Sequence, residues 1–454
     1  MIVLNFKQFK LLVIKLNVKI SPEHYAEKEY IFKTILGDFL DLKYEIHLDQ
    51  NIDSYVVDAG NGNSLTINNV LFKNDSYLKA DLIPNSVERK RLRIEEEEFD
   101  LAILYGNDSV EISSDRIYLG IDIIGSAFFM LSRMEEMLVD ALDDHKRFPA
   151  SAALAVKENF YKIPVVDIYA RFLNFCLNKL NSDISFKNKK VKIVPSHDLD
   201  HLSKLDNLRS VAGAVKRGLF RASSIKHSSH YLKEYLNRKN PFDQIQNLVK
   251  MSEAVNSIAS FYFLVGRKSK YDSGHFNKYI NEAEKYKNEI IAGGHNIGLH
   301  PSYSSGQNLS EIKKEKKKLE DWLGDTVIES RQHYLRVKVP ETFQNLETLG
   351  IKTDSSIAYP EFPGFRSGTS HEYQVFDLNS KQCLKLKERP LIAMDTSLIN
   401  DKSKTISEKF KEIEEIKRQI KVNGGNWSFL IHNSNFFWLD EEEYFELWQS
   451  FYKI

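Results

Sequence analysis

Residues 190–454 read as an α/β domain, an open parallel sheet or a (β/α) barrel, with residues 1–185 as a smaller α+β domain before it. Three observations predict this. Short β-rich runs at 191–196 (VKIVPS), 258–265 (IASFYFLV), 296–299, 327–330, 391–395 (LIAMD) and 427–432 (WSFLIH) alternate with helical stretches. Strand–helix alternation argues for parallel strands joined by helical crossovers. Polar residues then fall at the ends of successive runs: Asp198 and Asp200, His300, Arg331 and His333, Asp354, and His432. In a β/α barrel the strand C-termini are where chemistry is placed.

The helical stretches are Asp243–Asn256, His275–Ile290 and Leu309–Leu323. Another starts at Pro340 and stops at Gly350, a proline at the first turn and a glycine past the last. The polar segment Asn181–Lys190 (NSDISFKNKK) separates the two differently patterned halves. The N-terminal half mixes short apolar runs with one long helical stretch near 120–142 and offers no defensible catalytic pattern.

Sixty-three basic residues balance sixty-three acidic ones, so overall charge does not point to a nucleic-acid binder. Cys176 and Cys383 form neither a Cys-x-x-Cys pair nor a disulfide framework, which favours a reducing compartment and the cytoplasm. Lys7, Lys10, Lys15 and Lys19 interrupt the apolar N-terminus, so it reads as strand rather than signal peptide. The apolar stretch Tyr118–Leu138 carries Asp122, Arg133, Glu135 and Glu136 and reads as a buried helix, not a membrane span. Segment 204–239 has nine Lys/Arg against two acidic residues, a solvated insertion or a peripheral contact for anionic glycan or lipid phosphate.

Residues i and i+2 of a strand share a face, so Asp198 and Asp200 point the same way. Two carboxylates that close repel unless a cation or proton lies between them; one would bind a metal while the other stays free as a general base. A bland alternative is a solvated strand–loop junction. His295 and His300 are five apart across Gly298, on opposite faces of an extended run, so they are not a ligand pair. His300 ends its strand as a candidate ligand. His432 is placed to protonate a leaving group and Arg331 to orient a carboxylate, against a core histidine and a surface ion pair. Asp395, in AMDTS, also ends an expected strand and could orient an active-site partner, but with no spacing signal the structural reading is favoured. The loop 354–370 (DSSIAYPEFPGFRSGTS) brings Tyr359, Phe362 and Phe365 beside Arg366, a set suited to sugar rings.

Together these residues resemble the polysaccharide deacetylase family (carbohydrate esterase family 4, the NodB-homology domain) over about residues 190–454. The resemblance implies a distorted (β/α) barrel and a divalent metal, usually zinc, that hydrolyses N-acetyl groups from a sugar or polysaccharide. His197-Asp198-Leu199-Asp200 resembles the first motif, implying Asp198 as base and Asp200 as ligand. Gly294-His295-Asn296-Ile297-Gly298-Leu299-His300 resembles the second, making His300 a ligand and His295 structural. Arg331 resembles the third motif's base-holding arginine, Asp354 and Tyr359 the fourth motif, and His432 the fifth motif's general acid. One departure stands out: where the family has its second metal histidine, this chain has Ser304. His333 is expected to supply the missing ligand, with His201 the second candidate, since catalytic zinc takes three protein ligands plus water. Residues 1–185 resemble the N-terminal domain of a subgroup of these bacterial deacetylases, through Ser126–Glu136 and Asp144–Ser151. Two rival functions remain: a non-catalytic glycan-binding barrel, for which Ser304 speaks, and an amide hydrolase on a non-sugar substrate, against which the aromatic loop speaks.

Overall fold

A computed structural model of the chain describes residues 15–184, 190–203, 240, 242–267, 269–272, 275–435 and 441–454. The basic segment 204–239 and the apolar residues 1–14 lie outside them. Two compact units emerge. The first comprises Met1–Tyr77, Pro84–Phe128 and Ile168–Asn188; the second comprises Leu78–Ile83, Phe129–Asp167 and Lys189–Ile454.

The first unit is built on β1 (Lys15–Ile20), β2 (Lys43–Leu48), β3 (Ser54–Asp58), β4 (Ser64–Asn68), β7 (Gly106–Ile112) and β8 (Arg116–Ile121), after a separate hairpin of β5 (Glu88–Ile94) and β6 (Glu97–Ile103). The six pair in the order β2-β1-β3-β4-β8-β7. Buried and half-exposed residues alternate along β3 and β4, as expected where one face packs on a core. The apolar stretch expected as one helix is a strand followed by the helix Ile123–Leu131. Asp122 causes the change: one carboxylate oxygen accepts from Gly125 N (2.7 Å) as a helix cap, and the other accepts from Val70 N (2.7 Å) and Leu71 N (3.0 Å). Arg133, at φ 54°, separates this helix from the short one at Met134–Leu138.

The second unit carries β9 (Lys192–Leu199), β10 (Ser260–Phe263), β11 (Asn296–Leu299), β12 (Glu329–Ser330), β13 (Thr353–Asp354), β14 (Tyr373–Asp377), β15 (Gln382–Glu388), β16 (Ala393–Met394) and β17 (Asn426–Leu430). They pair in the order β14-β15-β13-β12-β11-β10-β9-β17-β16, all parallel except the hairpin β14–β15, which the sequence pattern did not reveal. The expected α/β alternation is present. Ring closure is not: β14 and β16 end the ladder and do not pair with each other among the described residues. All four residues of β10 are buried: Phe261 and Phe263 pack in the core with the helices, while Tyr262 lies under Arg331 and Ser260 bonds to Glu329. The helices lie close to their expected places, at Ile245–Ala254, Ile280–Ala292, Leu309–Leu323 and Glu341–Thr348. Asn308 caps the third by accepting from Ser310 N and Glu311 N, and a Thr405–Glu408 capping box starts Ile406–Asn423. Their apolar stripes meet the strands in a core containing Leu199, Phe261, Ile290, Leu299, Trp427 and Trp448.

Segment 129–167 joins this core through a buried charge network. Glu136 accepts from Arg133 Nε (2.9 Å), Arg366 Nε (2.9 Å) and Arg366 Nη2 (2.7 Å). Arg133 also reaches Glu135 (2.8 Å), and Arg366 donates to the Ala358 carbonyl (2.8 Å). Asp167 accepts from Ser370 N (3.0 Å), Ser370 Oγ (2.8 Å) and Thr369 Oγ1. Removing one partner of a buried ion pair strands the other charge, at about 3–5 kcal/mol. Glu136→Ala should therefore lower the unfolding free energy measured by denaturant titration by about that size; a value within experimental error of wild type would show that the network does not hold the segment.

Candidate functional site

The parallel register sets the site. Asp198, Tyr262 and Gly298 are level neighbours on β9, β10 and β11, and their side chains share one face. A Cβ at Gly298 would lie 2.5 Å from the Tyr262 ring, so only glycine leaves that ring its place. The Arg331 guanidinium lies over the ring, 4.7 Å from its centroid. Arg331 is fully buried and donates from Nη1 to Asp198 Oδ1 (3.0 Å), from Nε to Ser355 O and from Nη2 to Ser355 Oγ (both 2.8 Å).

Asp200, His300 and His333 each offer one ligand atom, all within 4.8 Å of one another. His300 Nδ1 donates to the Arg331 carbonyl (2.5 Å), which can only accept, so Nε2 is the nitrogen turned toward the carboxylates. That Nε2 is 3.2 Å from Asp200 Oδ1 and 3.7 Å from Asp198 Oδ2. His333 Nε2 lies 3.6 Å from the same Asp200 oxygen, and its Nδ1 is 3.2 Å from Asp272 Oδ1. Asp200 Oδ1 is buried and accepts no hydrogen bond. A carboxylate oxygen without a donor, faced by two imidazole nitrogens, is a donor set that fits a divalent cation. Burial disfavours charge on Asp200, but His333 and His300 outweigh it and hold its carboxyl well below the usual range. Burial likewise opposes charge on His333, and Asp200 beside it pushes its pKa up to about 9.

His432 follows β17 on the other side of Asp200. Its Nδ1 is 2.6 Å from Asp395 Oδ1, its backbone N donates to Asp395 Oδ2 (2.7 Å), and its Nε2 is 3.7 Å from Asp200 Oδ2. Burial disfavours its charge, but Asp395 more than compensates and the pKa rises to about 10. Asp395, read from sequence as structural, is thus the partner that orients His432; its place at the end of β16 was the available signal. A cavity of about 780 Å³ opens over these groups, lined by Asp198, Asp200, His201, His300, His333 and His432 among others. Its aromatic wall holds Tyr271, Tyr334 and His145, with Arg147 beside them. Tyr334 is 36% exposed at φ 60°, and its ring centroid is 4.7 Å from that of His145.

Other residues selected from sequence lie elsewhere. His201 lines the cavity, but its ring packs near Phe242 and it is not in the ligand cluster. His295 accepts from Ala259 N (3.1 Å) below the site, and Ser304 is exposed. Asp354, Tyr359 and Arg366, expected at the substrate, are buried and do not line the cavity. Asp354 accepts from Ser330 Oγ (2.6 Å) and Ser356 N (3.1 Å), and burial raises its pKa. Tyr359 packs against Tyr161 and Phe362, and Arg366 is consumed by Glu136. Of loop 354–370, only Pro360 and Glu361 reach the cavity.

Residues 17–182 match the model of a family of unknown function, DUF7033. No curated protein matches the chain. Three solved structures are similar to it. One is a candidate polysaccharide deacetylase from Mycobacterium smegmatis, at 14% identity over 58% of this chain and 83% of that one, TM-score 0.37. Another is a mutant of a CE4-family pseudoenzyme with restored enzymatic activity, at 10% identity over 58% and 64%, TM-score 0.28. The third is IcaB from Ammonifex degensii, at 14% identity over 37% and 84%, TM-score 0.21.

The geometry makes a metal prediction. Wild-type protein should take up one zinc or cobalt ion per chain, and His333→Ala should weaken binding beyond the 10–100-fold that loss of an outer partner costs. Equal metal content and affinity in both proteins, measured by chelator competition and elemental analysis, would remove His333 from the site.

Proposed function

We propose that the protein is a metal-dependent hydrolase that removes N-acetyl groups from a sugar or polysaccharide. The observation that carries this is the convergence, at the C-terminal ends of β9, β11, β12 and β17, of a three-ligand cluster with an arginine-held carboxylate and an aspartate-held histidine. Asp200, His300 and His333 would hold the cation. A divalent ion such as zinc, when bound, polarises a carbonyl and lowers the pKa of water to about 7.

The chain's own residues account for the rest. Asp198 is the base: Arg331 occupies its Oδ1, which leaves Oδ2, turned toward His300, to take a proton. His432 is the acid: Asp395 holds its Nδ1, so Nε2 faces the cavity to protonate the departing amine. Ser304 speaks for a non-catalytic binding barrel, but His333 answers the missing ligand within reach of Asp200. Support for a sugar comes from Tyr334, Tyr271 and His145 on the cavity wall rather than from loop 354–370, since aromatic faces pack well on sugar rings.

Asp198→Asn keeps the shape and removes the base. Acetate release from N-acetylated oligosaccharides should fall by about 10²–10⁴-fold with metal content unchanged. Wild-type turnover in that variant would overturn the assignment.

A further inference from the structure

Asp272 is buried, far in sequence from every residue of the proposed machinery, and belongs to no helix or strand. A buried carboxylate is costly unless its oxygens are satisfied. Asp272 Oδ2 accepts from Ser269 N and Ser269 Oγ (both 2.8 Å); Oδ1 accepts from Tyr303 N (2.7 Å) and faces His333 Nδ1 at 3.2 Å. The two backbone N–H groups can only donate, so both oxygens are set as acceptors. A hydrogen of His333 must then sit on Nδ1, so Nε2, 3.6 Å from Asp200 Oδ1, is the nitrogen that can give up its proton to a cation. The Arg331 carbonyl does the same for His300.

We propose that Asp272 is a positioning residue that selects and holds the metal-binding tautomer of His333, an inference that rests on the metal site of the hydrolase reading. A carboxylate behind a ligating imidazole fixes the ring and raises its basicity. The same side chain ties loop 269–272, which brings Tyr271 to the cavity, to Tyr303. An asparagine at 272 has one acceptor and one NH2 group. With the NH2 toward Tyr303 and His333 it opposes the Nδ1 proton; with the NH2 toward Ser269 it opposes a backbone N–H.

The test is a double-mutant cycle on zinc affinity by chelator competition, with the visible spectrum of the cobalt-loaded protein as a second readout and near-ultraviolet circular dichroism as the fold check. Asp272→Asn should bind zinc about 10–100-fold more weakly and change the cobalt spectrum with native tertiary dichroism. In a His333→Ala background the same substitution should cause no further loss, because Asp272 acts through that imidazole. Wild-type affinity and spectrum in Asp272→Asn would overturn the proposal and leave the hydrolase reading standing. An equal loss in both backgrounds would also overturn it, by making the effect general to the fold. Unchanged zinc binding in His333→Ala alone would overturn the proposal by removing His333 from the site, whereas no zinc binding by the wild type would remove the metal site on which both readings rest.

Discussion

The buried guanidinium of Arg331 is the constraint around which the site is arranged. One side chain holds Asp198 through Nη1, locks itself on Ser355 through Nε and Nη2, and covers the Tyr262 ring. Its own carbonyl sets the tautomer of His300. A fully buried charge is tolerable only with hydrogen-bond partners and an opposite charge in contact, and Arg331 has both. The glycine on β11 follows from the same arrangement, because the ring under Arg331 fills the space a Cβ would take. The Asp198 contact, the orientation of His300 and the strand packing therefore depend on one residue, two positions before His333.

Around that centre, each imidazole is backed by an acceptor: a carbonyl for His300, Asp272 for His333 and Asp395 for His432. Histidine has two ring nitrogens, and what one of them bonds decides what the other can do. The three therefore point an Nε2 at the oxygens of Asp200, from distances of 3.2–3.7 Å. Opposite charges therefore stand side by side: the carboxyl of Asp200 is depressed while His333 and His432 are raised.

The stretches that carried the N-terminal resemblance turn out to serve the second unit. Glu136 sits between Arg133 and Arg366, while His145 and Arg147 stand on the cavity wall. Arg147 is itself paired with Asp143 and donates to the Tyr334 carbonyl, so it shapes the wall rather than presenting a bare charge. The polar segment 181–190 marks a change of pattern, yet the contacts of Phe129–Asp167 lie with the residues beyond it.

Much of the site was legible because it is written in local order. Strand period and strand ends are properties of a few adjacent residues, so Asp198, Asp200, His300, Arg331 and His432 could be read as converging, and His333 could be named as the replacement ligand. Asp354, Tyr359 and Arg366 show the limit. Their loop has the composition of a binding surface, but whether an arginine meets solvent or a glutamate 230 residues away is not a local property. The same holds for Asp272, 61 residues from His333, and for Asp395, 37 from His432. By itself the sequence determined most of the parallel strands of the second unit and which side chains would stand at their ends, because backbone periodicity is set by neighbours. Only the tertiary structure decided which acceptor lies behind each imidazole, because those partners come from remote turns that meet only when the sheet is assembled.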